Sequence, residues 1–327
     1  MGDAERPGLV VPERFIPTPR SISREAQAFL SNKPPVGATQ MPPLGDKQAW
    51  RAHAAEADRT MAAFTARNAE LYPGDHVEHR LSACPLYEIV PQSLTESQGR
   101  RTILYIHGGG FCMGGGQAAI YSAMPFASLA GVRTWSLDYR MPPDHPFPAA
   151  VDDAVEAYRW LLEHYGPENI AVYGPSAGGN LAPAMILKAR DLGLPLPAAC
   201  AVHSPASDLT ESGDTYETNA VIDIILQHRL PELMMLYADG ADLTDPLLSP
   251  AFADYAAGFP PTMLTSGTRD LLLSSTVMLH RAMRRGGVKA ELHVWEAMTH
   301  APFFGSPEER ELLDETVRFM LEHTRAD

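Results

Sequence analysis

Between His76 and Trp295 the chain carries eight short apolar runs bounded by turn residues, and no other feature restricts its fold as much. They cover residues 76–81, 86–90, 102–106, 133–137, 170–173, 199–203, 262–265 and 291–295. Their four to six residues, rich in β-branched and aromatic side chains, suit strands. Helical stretches separate the later runs. The clearest is 149–165, where Val151, Ala154, Tyr158, Leu161 and Leu162 fall on one face and Gly166-Pro167 closes the helix. Parallel strands need a crossover between them, and a helical crossover covers the sheet. The alternation therefore predicts a mostly parallel, doubly wound α/β sheet. A chain of 327 residues can bury a sizeable core and still form a single α/β domain.

Two regions break the rhythm. Residues 1–45 are polar and proline-rich, with one short helix expected over 21–30. A second helix is expected over 46–71, carrying Trp50, Met61 and Phe64 among many alanines. Residues 208–255 hold helical pieces, expected at 220–228 and 231–238, and no strand. These regions suit a helical cap over one sheet edge. The expected organisation is N-terminal cap helices over 1–75, the first part of the core over 76–207, a cap insertion over 208–255, and the second part of the core over 256–327.

Charge excludes some functions. Lys and Arg number 26 against 40 Asp and Glu, a net charge of −14, so no basic stripe is available to track a nucleic acid. The same balance disfavours an anionic membrane surface. Cys84, Cys112 and Cys200 are odd in number and form no Cys-x-x-Cys pair, which suggests neither a disulfide framework nor a metal site. No metal and no cofactor are expected. The first fifteen residues lack the apolar core of a signal peptide, and no apolar run reaches the ~18 residues of a membrane span. A soluble, cytoplasmic protein is the expectation.

Two glycine-rich strings carry the chemistry. Gly174-Pro175-Ser176-Ala177-Gly178 stands between an apolar run and a helical stretch, the strand–turn–helix context of a nucleophile elbow. The small residues permit a sharp turn that projects the Ser176 hydroxyl, and the helix behind it favours negative charge in front. His107-Gly108-Gly109-Gly110 follows the run 102–106 and offers unobstructed backbone N–H groups. No Gly-Lys-Ser/Thr follows, so a phosphate-binding loop is excluded. Acyl transfer needs such a pair of parts: a hydroxyl nucleophile, and donors aimed where the carbonyl oxygen becomes negative.

An acid and a base should then lie beyond later strands. Asp270 follows the run 262–265, and His300 follows the run 291–295, on the sheet edge where open α/β sheets bind ligands. Asp208 and Asp242 are weaker acids because neither directly follows the strand expected to supply one. His203 ends a strand without an adjacent acid, and His107 belongs to the glycine loop.

With these residues in place, the chain resembles the bacterial hormone-sensitive-lipase-like esterases of the α/β-hydrolase fold. The likeness spans roughly residues 105–304. The stretch 136–149, SLDYRMPPDHPFPA, is similar to that family's DYRLAPEHPFPA signature, and Ser204 to Leu209 and Met298-Thr299-His300 are similar to family segments. The resemblance implies an eight-stranded, mostly parallel sheet flanked by helices with a helical cap. It also implies Ser176 as nucleophile, Asp270 as acid, His300 as base, and the N–H groups of Gly109, Gly110 and Ala177 as oxyanion hole, with His107 and Gly108 supporting that loop. Some relatives with a stretch similar to 212–219 are lactone hydrolases, and homodimers are common among similar proteins.

The implied activity is carboxylesterase action on a small-molecule ester of short or medium acyl chain through an acyl-enzyme. Lactone, carbamate, amide or aryl ester hydrolysis would use the same parts. A true lipase is disfavoured, and a small-molecule receptor on this fold would lack the histidine that stands here at 300. Three departures from the family pattern are Pro175 before the serine, Pro183 inside the following helix, and Leu273 where relatives often carry a second acid. Pro183 should kink its helix or release a carbonyl. Among other candidates, Met234, Met235 and Leu236 read as core before pocket, Arg284-Arg285 as a solvated helix end, and Cys112 as a small buried hydrophobe.

Overall fold

In the computed structural model, which describes residues 8–13, 15–32, 41–95 and 98–325, eight strands form one sheet. They are β1 (Gly74–Arg80), β2 (Pro85–Pro91), β3 (Thr102–Ile106), β4 (Arg133–Leu137), β5 (Ile170–Pro175), β6 (Ala199–His203), β7 (Thr262–Gly267) and β8 (Ala290–Trp295). Their order is β1-β2-β4-β3-β5-β6-β7-β8, antiparallel where β2 meets β1 and β4 and parallel elsewhere. The reading of the first fifteen residues for an export signal falls partly outside the described residues.

The period-two pattern of each strand sorts its side chains onto two covered faces. Leu104, Ile106, Val172, Val202 and Leu264 join one core with helices α5 (Ala149–Leu162), α6 (Ala177–Asp191) and α9 (Leu273–Arg285). Ile103, Tyr105, Ala171, Tyr173 and Met263 join the other, with α1 (Arg24–Ser31), α4 (Gln117–Ala130) and α10 (Pro307–His323). Burial on both faces explains why the central strands are continuous apolar runs. Arg140 anchors the 136–149 stretch: its guanidinium grips the wholly buried Asp153 of α5 with bonds of 2.7, 3.0 and 3.1 Å, and its main-chain N–H donates to the same carboxylate at 2.8 Å.

The strand expectations hold to within two residues. The helix expected over 46–71 divides at Ala66 into α2 (Lys47–Thr65) and α3 (Arg67–Leu71). The first helix starts at Arg24, because Ser23 caps it by accepting from the N–H of Ala26. Residues 220–228 are not helical. Val221 takes φ 64°, and the Asp223 side chain accepts from the N–H of Ile225 and Leu226, so local side-chain bonds replace the helical ladder. The helix expected over 231–238 is present as α8 (Pro231–Ala238), preceded by a short α7 (Thr215–Thr218). Helix α6 runs through Pro183 to Asp191 as one element. Trp50 of α2 clusters with Leu233 and Leu236 of α8 and with Cys112, joining α2 to the 208–255 segment beside the loop that follows β3. Among the described residues no helix is long and apolar enough to cross a membrane.

Candidate active site

Strand β5 ends at Pro175 and α6 begins at Ala177, so one residue, Ser176, carries the reversal. Its φ of 55° and ψ of −118° persist in a non-glycine residue only where the surroundings hold them. Close approach explains the flanking glycines. A Cβ on Gly174 would lie 2.2 Å from the Gly178 carbonyl oxygen, and one on Gly178 would lie 1.9 Å from that of Ile106 in β3. Pro175 pairs with His203 in the sheet register, and the Ser176 N–H donates to the His203 carbonyl at 2.8 Å. The missing donor at 175 therefore leaves the end of the ladder closed.

The loop 107–110 lies against this elbow: a Cβ on Gly108 would meet the Pro175 carbonyl oxygen at 3.0 Å and Ser176 Cβ at 3.3 Å. Gly109 and Gly110 take φ of 112° and 58°, and the Gly109 carbonyl accepts from the N–H groups of Cys112 and Met113. Among the described residues the N–H groups of Gly109 and Gly110 find no acceptor. The Ala177 N–H opens α6 and has no intrahelical partner. His107 is buried and stacked on Tyr139 at 4.1 Å, with Nδ1 2.7 Å from the Gly108 carbonyl oxygen. Burial lowers its affinity for a proton. A neutral imidazole with its proton on Nδ1 then donates to that carbonyl and braces the loop.

His300 Nε2 lies 3.0 Å from Ser176 Oγ. On the opposite side of the ring, Nδ1 is 3.5 Å from Asp270 Oδ1 and only 2.5 Å from Ser204 Oγ. The structure thus brings Ser176, His300 and Asp270 together and inserts a hydroxyl that the sequence reading gave no role. Asp270 is wholly buried; its Oδ2 accepts from the Ser266 hydroxyl at 2.5 Å and its Oδ1 from the Leu272 N–H at 2.9 Å. Burial alone would raise its pKa, but the hydrogen bond and charge of His300 and the bonds of Ser204 and Ser266 outweigh it and hold the carboxyl below the ordinary range. For His300, burial opposes the charged form, yet the bond and charge of Asp270 and the charge of Asp223 prevail and hold it above the usual imidazole value.

The other candidates fall elsewhere. Asp208 spends its carboxylate on the N–H and hydroxyl groups of Thr210 and Ser212, and Asp242 caps Thr244 at the surface. His203 bonds Thr265 Oγ1 at 2.9 Å and the His300 carbonyl oxygen at 3.2 Å, and burial lowers its pKa to about 4. Cys112 is buried with its thiol pushed up to about 12, again by burial. Leu236 is core, whereas Met234 lines the cleft above Ser176 and Met235 is half-exposed. Sequence reasoning also missed Asp223, a wholly buried carboxylate within Val221-Ile222-Asp223-Ile224-Ile225. A lone acid among four apolar residues was the available signal.

Ser176 and His300 open into a cleft of about 850 Å³. Its walls are mostly apolar and include Met61 and Phe64 of α2 together with Leu230, Leu233 and Met234. That volume lies within the range of small-molecule sites. A hydroxyl beside an imidazole, with N–H groups of the 107–110 loop and of α6 nearby, can carry out acyl transfer.

Comparison with known proteins agrees. A family model described as the alpha/beta hydrolase fold matches residues 103–304. An acetyl-hydrolase of Streptomyces hygroscopicus is 36% identical over 245 residues, 74% of this chain and 79% of that protein. Among solved structures, esterase E25 superposes with a TM-score of 0.91 at 33% identity, covering 97% of this chain and 99% of its own. A hormone-sensitive lipase from a metagenome library gives 0.78 at 30% identity, covering 91% and 96%.

Proposed function

This chain belongs to the hormone-sensitive-lipase-like carboxylic ester hydrolases of the α/β-hydrolase fold, and we propose that it cleaves small esters of short to medium acyl chain through Ser176, His300 and Asp270. The observation that carries this reading is the 3.0 Å approach of His300 Nε2 to Ser176 Oγ, together with the N–H groups of Gly109 and Gly110 that find no acceptor among the described residues. His300 takes the serine proton as Oγ attacks the ester carbonyl. The N–H groups of Gly109, Gly110 and Ala177 receive the oxyanion, and the imidazolium protonates the departing alcohol. Water, activated by the same imidazole, then releases the acid from the acyl-serine. Asp270 orients the ring and offsets its charge. In this reading the N-terminal helices and the 208–255 segment act as the cap that limits the acyl and alcohol groups.

Hydrolysis of p-nitrophenyl esters from acetate to palmitate, with Ser176→Ala alongside, tests the proposal. Turnover should be highest on the shorter chains. The variant should lose on the order of 10⁶ in kcat and fail to react with a fluorophosphonate. A variant that keeps most of the activity would remove Ser176 from the role.

A further inference from the structure

Asp223 sits where no strand end delivers it, in the irregular segment before α8, and it is fully buried. Its carboxylate accepts four main-chain N–H groups. Oδ1 takes those of Ile225 at 2.9 Å and Leu226 at 3.1 Å; Oδ2 takes those of Leu271 at 2.9 Å and His300 at 3.0 Å. A carboxylate offers about four acceptor sites, so its capacity is filled. The second pair is the unusual one. Leu271 directly follows Asp270, so a single oxygen joins the loop after β7 to the loop after β8.

We propose that Asp223 is a positioning residue for hydrolysis: it holds the Asp270 loop and the His300 loop in one relation and turns a second negative charge towards the imidazole. This rests on the Ser176–His300–Asp270 reading. Asn219 reinforces the same link, since its side-chain amide donates to the carbonyls of Asp270 at 2.9 Å and Thr268 at 3.2 Å, while its own carbonyl accepts the Asp223 N–H at 3.0 Å. The segment thus grips the acid's loop through both donors and acceptors. Main-chain ties alone do not call for a carboxylate beside another carboxylate. Burial and the charge of Asp270 outweigh the opposing charge of His300 and the N–H groups of Leu271 and Ile225, and leave Asp223 raised to about 6. The arrangement is favourable chiefly when His300 is protonated, as it becomes each time it accepts the serine proton. Asp270 and His203 are the other titratable groups facing His300.

The test compares wild type, Asp223→Asn, Asp208→Asn and Ser176→Ala on p-nitrophenyl acetate across pH. Asp208 is an equally buried carboxylate with four bonds in the same part of the chain, but it touches neither the 270 nor the 300 loop. Asp223→Asn should lower kcat about 10²-fold, the scale of a misplacement near 1 Å, with KM almost unchanged. Its acid limb should also move to lower pH, because a charge that favours imidazolium is gone. Asp208→Asn should keep the wild-type limb and most of kcat. A folded Asp223→Asn with kcat within twofold and an unmoved limb overturns the proposal, as does an equal loss in Asp208→Asn. Hydrogen exchange on the wild-type protein gives an answer that needs no variant: the amides of Leu271 and His300 should be as protected as those of β7, and rapid exchange at either contradicts the tie. Activity surviving in Ser176→Ala would instead refute the underlying reading.

Discussion

Gly178→Ala pits two opposite effects against each other at one atom. By helix propensity the change is favourable, because alanine within a helix gains up to about 1 kcal/mol over glycine. Packing opposes it. The new Cβ would stand 1.9 Å from the Ile106 carbonyl oxygen and 2.7 Å from that of His107, both main-chain atoms that cannot rotate away. An ordinary carbon–oxygen contact needs about 3.3 Å, so the start of α6 and the end of β3 must part by about 1.4 Å. Overpacking of this kind typically costs 1–3 kcal/mol, which exceeds the propensity gain, so melting should fall by a few degrees. Activity should suffer more. Ser176 and Ala177 ride on α6 and Gly109 and Gly110 on the loop leaving β3, so the proposed nucleophile and part of the proposed oxyanion hole separate from the rest. A shift near 1 Å at reacting groups lowers rates about 10²-fold. Thermal denaturation with kcat on p-nitrophenyl acetate reads both effects. A variant that melts at or above the wild-type temperature and keeps kcat within twofold would refute the reasoning.

In the proposed mechanism His300 must be neutral to act as base, and it is held above the ordinary imidazole value of about 6.5, so kcat/KM should fall on acidification with a midpoint above that value; a midpoint at or below 6 contradicts the assignment. Ser204→Ala removes the hydroxyl nearest His300 Nδ1 and leaves Asp270 at 3.5 Å, so kcat/KM should drop about tenfold to a hundredfold, the worth of one hydrogen bond to a charged group. An unchanged rate would mean that Asp270 alone orients the ring. Cys84 and Cys112 are buried with thiols pushed up to about 12, and burial raises Cys200 as well. Activity should therefore survive iodoacetamide at pH 8, where only about one thiol in 10⁴ at Cys84 or Cys112 is ionised; rapid inactivation would give a cysteine a role that burial denies it.

The linear pattern alone determined the α/β class, the eight strands to within two residues, and the parts of the candidate site that lie at strand ends. Ser176, Asp270, His300 and the 107–110 loop were legible because each directly follows an apolar run, and in a parallel sheet consecutive run ends fall on one edge. Local composition carries that information. Residues 220–228 were misread for the complementary reason. Their apolar spacing satisfies a helix, but Asp223 offers its oxygens to nearby N–H groups and to loops 48 and 77 residues away, bonds that no periodicity encodes. Ser204 is similar. Nothing beside it in the chain marks it as the closest neighbour of His300 Nδ1, because that contact joins the end of β6 to the loop after β8. Tertiary structure alone decided which buried polar groups surround the imidazole and which side chains wall the cleft, since both depend on long-range packing that brings separate loops within hydrogen-bond distance.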